Sequence, residues 1–184
     1  MNKKRSIVRS FLCHALAVFC LVAGVPATTQ AEEVMPLHPE LERLRPFLGV
    51  TWRGDLSDPG TKIRRSDIVR YDRTLNGEAV RMLHSVNDGE FGGEMIIRFS
   101  DEKDAVEYHY FTSAGFYVQG IMTLRRGRMI AEDRDAEGRA VLRTERWLKG
   151  ESLVSMTRMY RDGKWTRGTE QFYAPAPDEK IRYR

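Results

Sequence analysis

From Val50 onward the chain alternates apolar and polar residues with a period of two, and Gly, Asn and Asp clusters punctuate the alternation. Period two puts successive side chains on opposite faces of an extended backbone, so each run reads as a half-buried strand. Ten runs follow one another: Val50–Asp55, Ser66–Leu75, Glu78–Val86, Phe91–Phe99, Ala105–Thr112, Phe116–Leu124, Arg128–Arg134, Ala140–Leu148, Ser152–Arg161 and Lys164–Ala174. The first connection is turn-rich around Asp58-Pro59-Gly60; most later ones are tight, such as Asn76-Gly77, Arg126-Gly127 and Asp162-Gly163. No stretch after residue 50 has the period or length of a crossover helix, so the sheet is expected to be antiparallel. The predicted fold is all-β: an up-and-down meander of about ten strands. Closing the meander into a barrel removes both exposed edges, and an open sandwich is the alternative.

Ahead of the strands, Leu37, Leu41, Leu44 and Leu48 recur at intervals of four, three and four, which marks one face of a short helix. Pro46 and Gly49 stop it. A helix this short is unstable alone, so it is expected to plug one end of the barrel. Behind the strands, Pro175 and Pro177 end pairing, and the charged segment 175–184 reads as a flexible tail. The folded domain is therefore expected over 37–174.

Residues 1–31 follow a different pattern. Lys3, Lys4, Arg5 and Arg9 precede an apolar run from Phe11 to Val25, and Thr29-Gln30-Ala31 offers a small-residue cleavage site. That is the layout of a secretory signal peptide, and the run is short of the roughly 20 residues a membrane span needs. Its removal changes the charge balance. The whole chain has 30 Lys+Arg against 26 Asp+Glu, but 1–31 holds four of the bases and none of the acids. The mature chain is then neutral apart from histidine, which gives no basic surface for nucleic acid. Cys13 and Cys20, the two cysteines, also leave with the leader, so no disulfide or thiolate chemistry is expected. The predicted location is periplasmic or secreted, without a membrane span in the mature protein.

The strand faces supply the candidate site residues. Val80, Met82, His84 and Val86 share one face of the third strand, taken as inward; His84 there is a polar handle on a ligand or a structural histidine. On the fifth strand Tyr108 and Tyr110 are assigned inward, and each phenol needs a partner when buried. Glu107 and His109 then face out as an ion pair, with no third ligand for a metal. Met82, Met95, Met122 and Met156 fall on faces taken as inward, and methionine suits an adaptable apolar pocket. If Val154, Met156 and Tyr160 point inward, Arg158 does too and needs Glu170 or an acidic ligand group; a one-residue slip puts it outside. No nucleophile motif, phosphate loop or carboxylate pair stands out.

The string Leu44-Arg-Pro-Phe-Leu-Gly-Val-Thr-Trp52-Arg-Gly-Asp resembles the opening of calycin-like barrels, in which a short helix leads through Gly to a Trp on the first strand. Lipocalins, fatty-acid-binding proteins, nitrobindins and bacterial lipocalin-like domains form that group. Nitrobindins open on a Leu-Gly-Thr-Trp-Arg-Gly-like string, which this chain matches apart from the inserted Val50. The resemblance implies a ten-stranded barrel around a cavity for a small molecule, and in fatty-acid-binding barrels an interior arginine meets a carboxylate. It does not carry over the haem of nitrobindins, whose histidine lies late in the chain, because the last histidine here is His109.

The expected function is that of an exported binding protein for a hydrophobic or amphipathic molecule. Trp52, Met82, His84, Met95, Tyr108, Tyr110, Met122 and Arg158 would form the lining, with no metal or cofactor. Two rivals stay open: a cell-envelope interaction module without a small ligand, and a barrel enzyme using His84 and Glu170. The pattern carries no information on oligomeric state.

Overall fold

The computed structural model describes residues 36–57, 62 and 65–184. The segment read as an export signal lies outside the described residues. A 3₁₀ helix, Pro39–Phe47, precedes the strands β1 (Thr51–Asp55), β2 (Ser66–Thr74), β3 (Ala79–Val86), β4 (Phe91–Ser100), β5 (Ala105–Thr112) and β6 (Tyr117–Arg125). Then come β7 (Arg128–Arg134), β8 (Ala140–Lys149), β9 (Ser152–Arg161), β10 (Lys164–Trp165) and β11 (Thr169–Pro175).

Each strand from β1 to β9 pairs antiparallel with the next, β9 pairs with β11, and β11 pairs with β1. The sheet is a closed barrel. β10 and β11 both lie against β9, at Tyr160–Arg161 and Leu153–Thr157 respectively, so they are two halves of one tenth wall strand. The expected strand Lys164–Ala174 is thus interrupted. The break holds Gly168 in the left-handed region at φ 73°, where a Cβ would stand 2.9 Å from the Arg158 side chain.

The plug is a 3₁₀ helix rather than the expected 3.6-residue one, and its buried face shows why. Leu41, Leu44 and Phe47 are spaced by three and all buried, which matches three residues per turn, while Leu48 has moved off that face. Arg43 Nη1 donates to the Leu124 carbonyl at 2.5 Å, His38 stacks on Phe99 at 5.1 Å, and the His38 amide donates to the Gly77 carbonyl at 3.0 Å. These contacts seal the end where the hairpins β2–β3, β4–β5 and β6–β7 turn. Among the described residues, no helix is long and apolar enough to cross a membrane.

Burial falls off toward the other end. Leu41, Leu44, Val80, Ile97 and Leu153 have no exposure, whereas Phe116 and Met159 at the far rim are 49% and 41% exposed. One end is therefore a packed core and the other an open mouth.

Leu153 belongs to the inner core, so Ser155, Thr157 and Met159 share its face, and Val154, Met156 and Arg158 point outward. This corrects the inward reading of Met156 and of Arg158. Val154 is nevertheless fully buried, because its outer-face neighbours across the strands are Trp147 and Phe172. Those rings are in turn covered by cations, Arg128 at 3.8 Å from Trp147 and Lys149 at 5.5 Å from Phe172. A buried outer face with three apolar residues in a row hides which side is the core.

The tail 175–184 runs back over the outer face. The Ala176 amide donates to the Thr51 carbonyl, Arg53 pairs with Glu179, and Tyr183 Oη donates to the Gly93 carbonyl at 3.0 Å. Arg182 and Arg184 both bind Asp88, at 2.7 and 2.8 Å. The segment expected to be flexible is tied to the wall at both ends. Gly92 makes the seat, since a Cβ there would meet the Tyr183 ring at 2.8 Å.

Candidate binding site

Inside the barrel, β2 presents Asp67, Val69 and Tyr71, and β3 presents Met82 and His84 beside them. His84 Nδ1 lies 3.1 Å from Asp67 Oδ1, and His84 Nε2 lies 2.6 Å from Tyr110 Oη. Tyr173 Oη donates to the other oxygen of Asp67 at 3.0 Å. Gly93, opposite His84, leaves the room Tyr110 uses: a Cβ there would stand 2.5 Å from the Tyr110 ring. Four side chains from four strands thus form one buried polar chain, Tyr110–His84–Asp67–Tyr173.

The proton positions follow from the partners. Burial pushes the Tyr110 phenol up to about 12, and burial, with the Asp67 charge adding to it, raises Tyr173 as well. Both phenols are therefore neutral donors near neutral pH. With the phenols as donors, His84 Nε2 accepts from Tyr110, and His84 Nδ1–H donates to Asp67 Oδ1.

Arg146 completes the group. It shares the inner face of β8 with Leu142, Thr144 and Leu148, and its Nη1 donates to Tyr71 Oη at 3.2 Å. That phenol is its one hydrogen-bond partner among the described residues; Asp67 acts on it only at longer range. A void of about 10 Å³ lies against Arg146, Thr144, Tyr71, Met95, Met122 and Met129, room for about one water. Above it the mouth is aromatic. Phe91 lies 5.6 Å from His84, and Phe116 lies 6.2 Å from Phe91 and 6.5 Å from Tyr110.

The other sequence candidates divide cleanly. Trp52, Met82, Met95 and Met122 are buried in the inner core. Tyr108 is also inside but turns to a different partner, donating to Asp133 Oδ1 at 2.5 Å. Arg158 lies outside, with its Nη2 3.5 Å from the Met156 sulfur. Glu170 shares the outer face with Phe172, so the wall separates it from His84. Glu107 faces out with His109 at 3.5 Å and takes Lys103 and Arg98 at 2.6 and 2.7 Å. The Lys103 hydrogen bond, more than any other contact, holds the Glu107 carboxyl down to about 2.

Asp67, Tyr71, Arg146 and Tyr173 are the site residues the sequence reading missed. The signal for Arg146 was present: period two groups it with Leu142, Thr144 and Leu148.

The buried phenols predict an alkaline limit. Tyr71, Tyr108, Tyr110 and Tyr173 all have raised pKa values in the fold, with burial the first cause. A raised folded value means stability that is full below the ordinary phenol value of about 10 and is lost as pH climbs through the folded one. Phenolate absorbance of these four is expected to appear above that value, together with loss of the aromatic circular dichroism signal. Ionisation of all seven tyrosines near the ordinary value in a still-folded protein would contradict this burial.

The chain matches no known family model and no curated protein. What defines it is the architecture itself: a closed antiparallel β-barrel of ten strands with a sealed end, an open mouth and a polar group between them.

Proposed function

We propose that this is an exported, calycin-like binding protein that takes a small amphipathic molecule bearing an acidic group at the mouth of its barrel. The observation that carries the reading is Arg146. Its guanidinium sits inside the barrel with one neutral hydrogen-bond partner and a void beside it. A guanidinium has five N–H donors, and Tyr71 accepts from one of them, which leaves others for a ligand to satisfy. An anionic head group replacing the water-sized volume would satisfy them. The methionines around the void can yield to it, and Phe91, Phe116 and Met159 suit an apolar body at the rim. Export to the periplasm or beyond rests on the leader-like pattern of residues 1–31.

Decanoate and decanol separate charge recognition from simple apolar binding. The acid is expected to bind at least about tenfold more tightly than the alcohol, and Arg146→Gln to erase that preference. Equal binding of the two, or a preference untouched by Arg146→Gln, would remove the reading. Native mass spectrometry of protein recovered from the periplasm would then identify the natural occupant.

An interaction module is the second reading, favoured by the outer face of β5 and β6. There Phe111 and Tyr117 stand 5.0 Å apart and Phe111, Tyr117 and Ile121 are about half exposed.

A further inference from the structure

A second cavity lies on the outer wall of the barrel. It has a volume of about 830 Å³ and lies between the tail and the outward faces of β2 and β3, within the range of ligand pockets, roughly 300–1,000 Å³. Two anchors span it. Arg53 and Glu179 fix one end of the tail, and Arg182 and Arg184 on Asp88 fix the other.

Ser85 lies in the wall of this cavity and is only 1% exposed, yet its Oγ has no hydrogen-bond partner. A buried hydroxyl without a partner is uncommon and costs stability. On the outer face Ser85 stands between Ile68 and Gly92, neither of which offers a side-chain acceptor.

The charges around the cavity sort into used and unused. Arg53, Glu179 and Asp88 are consumed by the tail. Arg65 and Lys180 have no acidic partner among the described residues, and Glu90 has only the neutral amide of Asn87, at 2.7 Å. Unused charge of both signs borders an apolar floor of Ile68 and Phe91.

We propose that this cavity binds a zwitterion with an apolar body, a short peptide with both termini free. Its carboxylate meets Arg65 and Lys180, its ammonium meets Glu90, its side chains rest on Ile68 and Phe91, and a backbone group takes the Ser85 hydroxyl. The site lies on the outer side of the wall and shares Phe91 with the barrel mouth.

Calorimetry with trileucine, N-acetyl-trileucine and trileucine amide tests it on the purified protein. Trileucine is expected to bind, and blocking either terminus to weaken binding by about tenfold. Arg65→Gln should weaken trileucine as the amide does, and Glu90→Gln as the acetyl group does. Ser85→Ala should weaken binding while leaving the melting temperature of the free protein unchanged or higher, because its hydroxyl has no partner to lose. Absence of binding by all three peptides overturns the proposal. So does equal binding of free and blocked forms, or binding that survives Arg65→Gln and is lost in Arg146→Gln.

Discussion

Replacing Asp67 by alanine is expected to lower the unfolding free energy by about 3–5 kcal/mol. Asp67 is 5% exposed and accepts from both Tyr173 and His84. Without it, a phenol and an imidazole N–H lose their partner inside the barrel, and Arg146 loses a favourable longer-range charge. Asp67→Asn keeps one acceptor and should lose less, about 1–3 kcal/mol. Urea unfolding measures both. If Asp67→Ala unfolds at the wild-type midpoint, the polar chain is not buried and the mouth is solvated more deeply than its geometry indicates.

Leu44→Ala should cost a similar amount by a different route. Leu44 sits on the plug helix with no exposure, and truncating a fully buried leucine costs about 2–5 kcal/mol. The helix is short and held by packing more than by its own hydrogen bonds, so the loss falls on the whole seal. The expected signature is an earlier urea midpoint together with faster amide exchange at Leu41 and Phe47. A substitution at Leu44 that changes neither would mean the plug contributes no stability to the barrel.

The fold was legible because nearly every element announced itself locally. Most strands kept the alternation, and a glycine or asparagine closed every hairpin except β4–β5, where Asp104 takes the positive φ, so the strand bounds of β5, β7 and β9 follow directly from the pattern. The site was only half legible. His84, Tyr110 and the methionines came from inner faces that were apolar enough to identify. On β9 the signal failed for a physical reason: Leu153, Val154, Ser155 and Met156 are all buried, so neither face is the polar one. An arginine was therefore assigned to the interior from the wrong strand. β8 carries polar residues on both faces, so alternation alone does not separate Arg146 from the solvent-facing charges around it, although Thr144 and Leu148 flank it. Asp67 and Tyr173 meet across β1, a contact between opposite ends of the domain that no local pattern encodes.

The pairing of β1 with β11 has a consequence for how the chain folds. Every other seam of the wall joins strands close in sequence, as each is laid down beside its predecessor. This one joins Trp52 to Pro175 and Arg53 to Ala174. It can form only once the final strand is present, so a growing or truncated chain carries two unpaired strand edges, each a template for pairing with another copy. The ring is complete all at once or not at all, and its last stitch is made at the two ends of the same thread.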